Sequence, residues 1–217
     1  MPFLGSNTLD IKLADISASN TLWSVSDGFQ VREKLRSAIH RSRKPVIDID
    51  LRGLRDFDTY FVERVFIDLA KEIPSQFRGT RALVFTLPSD DDSIELRLSS
   101  VFKKHDTCVV FRKGNTLQLS GAASFESKIL WHRLVNYSPV VTEVVCREVG
   151  TNKAEFESDL FRLHNAGVAT KTANGYYTSV FRQRSIIPFA RYYLKLIKLM
   201  ISTKPISRSR RNRPPVA

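Results

Sequence analysis

Residues 138–180 read SPVVTEVVCREVGTNKAEFESDLFRLHNAGVATKTANGYYTSV, and their caps and spacing set out a helix, a tight turn, a second helix and a two-stranded wing. Thr142 or Ser138 caps the first helix, and Pro139 is tolerated in a first turn whose N–H groups lack partners. Val141, Val144, Val145 and Val149 form its apolar stripe. Gly150 ends it, because glycine adopts a left-handed conformation at least cost. Asn152 opens the second helix, Lys153–Ala166, with Glu155 three residues on at the spacing of a capping box. Phe156, Leu160 and Leu163 share one face of it, and Gly167 closes it. Val168–Lys171 and Tyr176–Val180 alternate as strands about Ala173-Asn174-Gly175, and Asn-Gly is a strong hairpin signal.

This order of caps, stripe and hairpin resembles the winged helix-turn-helix of bacterial DNA-binding regulators. Just upstream, Ser124 starts a further helix, SFESKILWHRLVNY, with Ile129, Leu130, Leu134 and Trp131 inward. It reads as the first helix of the same domain, 123–182. The resemblance implies that the second helix enters the major groove, which makes Lys153, Ser158, Arg162 and His164 nucleic-acid-binding candidates. Glu157 and Asp159 on that helix would repel phosphates, so the expectation shifts to the wing and its continuation: Lys171, Asn174, Tyr176, Arg182 and Arg184. Charge supports the shift. All 22 Asp and Glu lie at or before Asp159, where 22 Lys and Arg balance them; Leu160–Ala217 holds the other twelve basic residues and thus the whole net charge of +12. A one-sided excess of this kind points to a polyanion.

Residues 183–217 continue the basic half. Ile186–Ser202 has a wide apolar arc with Arg191, Lys195 and Lys198 on its narrow polar side. That pattern fits a helix packed in the core or between two copies of the chain, with a basic helix lying on a membrane as the alternative. The arginine-rich end, SRSRRNRPPVA, suits phosphates.

Upstream of residue 123, strands alternate with helices, the mark of an α/β layered domain. Leu9, Ile11 and Leu13 alternate as a strand, and Thr21–Val25 is a second candidate. Gly28–Ile39 is helical, Pro45–Leu51 (PVIDIDL) is a β-branched strand, and Thr59–Ile73 repeats apolar residues at helical spacing. Arg81–Thr86 is a strand, Asp92 caps a helix, and Val109–Phe111 and Thr116–Leu119 flank Lys113-Gly114-Asn115.

Asp50–Val62, DLRGLRDFDTYFV, carries a strand ending in Asp-Leu-x-Gly, a short loop and an Asp-Thr at a helix start. With its flanks it resembles the STAS fold of anti-sigma-factor antagonists, over roughly Gly28–Phe102 within a domain 1–122. The resemblance implies a mixed-sheet domain that presents a loop–helix edge to a protein partner, with Arg52, Arg55, Asp56, Asp58 and Thr59 as partner-binding or regulatory residues. In that family a hydroxyl residue just after the Asp is phosphorylated. Thr59 holds that place here, at a helix N-terminus that favours an anion. The Gly-Leu-Gly that follows in the family is absent. The alternative is that Asp58 and Thr59 simply cap a core helix.

The nine glycines lie at least seven positions apart, which excludes a P-loop or a GxGxxG turn. The four histidines do not cluster, and no nucleophile arrangement is supported by spacing. No catalytic residue, metal ligand or cofactor is therefore expected. Cys108 and Cys146 sit in apolar runs, as buried thiols of a reducing compartment do. Neither a signal peptide nor an integral membrane span is evident, so a cytoplasmic location is expected. The reading is a non-enzymatic, DNA-binding transcriptional regulator with a protein partner and an open homodimer option; the alternative is an adaptor whose winged domain contacts protein, and after it a peripheral membrane protein.

Overall fold

Four apolar runs of the N-terminal half become parallel neighbours in chain order. The computed structural model describes residues 7–17, 21–22, 25–77, 80–90, 92–137, 152–171 and 177–181. Strands β1 (Thr8–Lys12), β3 (Val46–Asp50), β5 (Ala82–Leu87) and β6 (Cys108–Lys113) lie side by side, and β7 (Thr116–Gly121) closes the edge antiparallel to β6. The expected α/β class with a mixed sheet is thus observed. A short parallel pair, β2 (Thr21–Leu22) and β4 (Asp56–Phe57), stands apart from the main sheet.

Right-handed crossovers that always step the same way put their helices on one face. These are α2 (Val25–Arg41), α3 (residues 59–76) and α4 (Asp92–Lys104); a short α1 (Leu13–Ile16) follows β1. Their stripes meet alternate strand residues in one core: Leu35 and Ile39 from α2, Val65 and Phe66 from α3, Leu98 and Phe102 from α4, and Ile47, Ile49, Phe85 and Phe111 from the sheet. Rings link these layers, with Phe66 4.8 Å from Phe85 and Phe85 5.6 Å from Phe102, in the tilted arrangement aromatic pairs favour.

Several local expectations change. The strand over Thr21–Val25 shrinks to two residues, because Val25 already opens α2, with Asp27 favoured in its first turn. Gly28 lies inside α2 and lets α3 come close: a Cβ there would sit 3.6 Å from Phe61 and 3.7 Å from Val65. Part of the loop before Thr59 is strand β4, a tertiary pairing that no local pattern announces. The third helix runs past Ile73 to Gln76 with Pro74 inside it, after a π-type stretch at Val62–Ile67.

The other sheet face carries polar groups at successive registers. Asp48 is fully buried and accepts from the Thr86 hydroxyl at 2.6 Å. Arg112 donates from Nε to Thr86 Oγ1 at 2.7 Å and brings Nη2 to 2.5 Å from Asp48 Oδ2. Burial pushes the Asp48 carboxyl up to about 6, against the pull of Thr86 and Arg112.

The C-terminal half adds α5 (Phe125–Tyr137), α6 (Lys153–Asn165) and an antiparallel pair, β8 (Ala169–Lys171) with β9 (Tyr177–Ser179), in register from Ala169↔Ser179 to Lys171↔Tyr177. Ser124 caps α5, accepting from Ser127 N at 3.0 Å, and Asn152 caps α6, accepting from Glu155 N at 2.9 Å. Up to Arg184 the chain forms one compact unit, in which this half packs with the sheet domain. The helix expected before Gly150, the Ala173-Asn174-Gly175 turn, Cys146, Ile186–Ser202 and the arginine-rich end lie outside the described residues. Among the described residues no helix is long and apolar enough to cross a membrane.

Candidate functional site

Two clusters hold the expected site residues. The first is the loop between β3 and α3, at the end of the sheet where parallel strands finish. Arg52 folds back on Asp50, donating from Nε at 2.9 Å and Nη2 at 2.6 Å; these bonds oppose the effect of burial on the Asp50 carboxyl and hold it below its ordinary range. Asp56 pairs with Arg97 of α4, which also donates to the Phe57 carbonyl at 2.9 Å. Both residues are thereby committed to fixing the loop, while Arg55 is exposed. Asp58 caps α3, accepting from Phe61 N at 2.5 Å, and Thr59 is exposed at the first helical position. Asp58→Ala should therefore lower stability by about 1 kcal/mol in urea titration, with Thr59→Ala costing less than half as much.

The second cluster is α6 and its hairpin. Phe156, Leu160 and Leu163 are buried, as their spacing predicts. Of the acidic residues that seemed to oppose phosphate binding, Asp159 is turned toward α5, whereas Glu157 is exposed one helical turn before Phe161. Asp159 accepts from the Ser127 hydroxyl of α5 at 2.6 Å, and Glu157 lies 3.9 Å from Lys153. His164 is used locally: Nδ1 donates to the Ala169 carbonyl at 3.0 Å and the ring meets Tyr177 edge-on. Lys171 reaches over the Tyr177 ring at 5.8 Å from its centre, at the far end of the β8–β9 register. Asn174, Tyr176, Arg182 and Arg184 lie outside the described residues.

The stripe opposite the buried face of α6 holds Ser158, Phe161, Arg162 and Asn165. It lines an open groove of about 700 Å³ whose far wall is the end of α3, with Lys71 and Ser75, and whose floor is Thr107 and Cys108. Phe161 is 60% exposed there. Phe161 was not singled out from the sequence; its offset from the 156/160/163 stripe was the available signal. The Cys108 thiol is buried and pushed up to about 11 by that burial, so it is a neutral part of the floor. Asp106, beside it, has a φ of 48° in the turn that leads into β6.

Gly167 closes α6 with a φ of +71°, and a Cβ on it would lie 2.3 Å from the Arg81 carbonyl oxygen and 3.1 Å from Pro74 Cγ. This backbone contact fixes α6 against the start of β5 and the end of α3, and so sets the width of the groove.

Among the described residues no three His, Cys, Asp or Glu side chains come together to hold a metal ion. His105 instead donates from Nε2 to Glu63 at 3.0 Å, whose carboxyl is held down to about 2 by His105 and then Lys104. No protein-family model, curated protein or solved structure matches this chain.

Proposed function

We propose that this chain is a non-enzymatic, cytoplasmic DNA-binding regulator. Its C-terminal half acts as a winged helix-turn-helix in which hairpin and basic segment grip the duplex backbone. Its N-terminal half acts as a STAS-like domain that meets a protein partner through the loop and helix start at Arg55–Tyr60. The observation that carries the reading is the charge map: from Leu160 on, where α6 leads into the β8–β9 hairpin, there are twelve basic residues and no carboxylate. Lys and Arg on a hairpin and the segment after it neutralise phosphates whatever the sequence between them, so affinity arises chiefly from counterion release. Base readout by α6 is the smaller contribution.

Lys171→Gln and Arg184→Gln test this in the full chain. Each should weaken binding to duplexes of different sequence uniformly and reduce the slope of log affinity against log salt by about one. Substitutions that leave duplex affinity untouched would favour the second reading, an adaptor in which this half contacts protein. On the N-terminal edge that would meet the partner, Tyr60 is 41% exposed beside Thr59, with the Arg64 guanidinium 5.4 Å from its ring centre.

A further inference from the structure

The groove between α3 and α6 has a composition the duplex-gripping reading does not use. An α-helix with its side chains is roughly 10–12 Å across, which fills a major groove about 12 Å wide and leaves no space for a second protein wall beside it. Here the outward stripe of α6 faces such a wall, formed by the end of α3. A duplex therefore meets chiefly the hairpin and the basic segment, with only the edge of α6 near its bases, and the stripe stays open to something smaller. At about 700 Å³ the groove falls within the roughly 300–1,000 Å³ range of sites for small molecules.

Its chemistry is that of a nucleotide. Phe161 presents a ring face, 60% exposed, that stacks on no other ring among the described residues. Lys71 on one wall and Arg162 on the other have no ion-pair partner among the described residues. Asp106, Ser158 and Asn165 supply acceptors and donors for a base edge or a sugar hydroxyl, and the Asp106 carboxylate is the one anion, outnumbered by the two cations. An aromatic platform flanked by unpaired cations is how proteins take unpaired bases with their phosphates.

We infer that this groove binds a nucleotide unit outside a duplex, its base stacked on Phe161 and its phosphate between Lys71 and Arg162. The inference deepens the nucleic-acid reading above and rests on it for the source of the nucleotide, an exposed single strand or a free mononucleotide.

The test is fluorescence anisotropy on the full chain with a labelled short single strand, the corresponding duplex, and a mononucleotide as competitor. Phe161→Ala should weaken single-strand binding by roughly tenfold while changing duplex binding less than about twofold, and Phe161→Tyr should retain the parent affinity. Because Phe161 is exposed, both variants should give the parent circular dichroism spectrum. Lys71→Gln and Arg162→Gln should each weaken single-strand binding several-fold. Competition by the mononucleotide identifies the free nucleotide as the occupant; Phe161-dependent binding without competition identifies the strand. Equal single-strand affinity in parent and Phe161→Ala overturns the inference, as does a parent that binds neither single strand nor mononucleotide. A parent that fails only on the duplex overturns the duplex-gripping reading and leaves the groove standing.

Discussion

Gly167→Ala is expected to lower the unfolding free energy by about 3 kcal/mol or more, the largest loss among the described glycines outside the sheet. Two costs combine at this position. A left-handed conformation costs a non-glycine residue roughly 1–2 kcal/mol, and Gly167 has a φ of +71°. The added Cβ would also lie 2.3 Å from a backbone oxygen of Arg81, where nothing flexible can give way. Arg81 is itself held, donating to the Ile39 carbonyl at 2.8 Å and stacking 3.7 Å from the centre of the Phe77 ring. The strain must therefore be relieved by moving α6 and its hairpin away from the α/β layers. Gly114→Ala separates the two costs, since Gly114 has a φ of +58° with nothing within 4 Å of the new atom. It should lose only about 1 kcal/mol. Urea titration of the two variants checks this, and equal losses would show that the contact with Arg81 carries no weight.

Arg112→Leu is expected to cost about 3–5 kcal/mol at pH 8, because it leaves the buried Asp48 carboxylate without its cation. The loss should shrink toward pH 4. Asp48 has a folded value of about 6, above the ordinary carboxylate value near 4, so its contribution to stability is present below pH 4 and is lost as pH rises through 6. That swing amounts to roughly 3 kcal/mol in the parent. Removing Arg112 raises the folded value further and extends the decline to higher pH, whereas below pH 4 the protonated acid needs no cation. Asp48→Asn should abolish the declining limb altogether, leaving a flatter curve of thermal midpoint against pH. A parent curve that rises between pH 4 and 6 at this group, or an Asn variant with an unchanged profile, would contradict the assignment.

The parts of the fold that were legible in the sequence rest on local periodicity. Phe156, Leu160 and Leu163 are buried as spaced, Asn152 and Asp58 cap as expected, and PVIDIDL is a central strand with every residue of Val46–Asp50 buried. The illegible parts depend on partners distant in the chain. Strand β4 exists through its pairing with β2, and Gly28 sits mid-helix because α3 needs the space. Asp48 and Asp50, two residues apart in an apolar run, lie on one strand face and were a visible sign of a polar cluster; that Thr86 and Arg112 complete it is set by register. The candidate site divides in the same way. The basic excess after Leu160 is a property of composition, but the groove depends on where Gly167 anchors α6, and that contact joins residues 81 and 167.

The most direct measurement of the central claim is a gel-shift titration of the full chain on duplex DNA across a series of salt concentrations. Nanomolar to micromolar binding at low salt is expected, with log affinity falling linearly against log salt at a slope of about −0.9 per phosphate neutralised. No binding at low salt, or an affinity that salt leaves unchanged, would contradict a grip made by the basic C-terminal half.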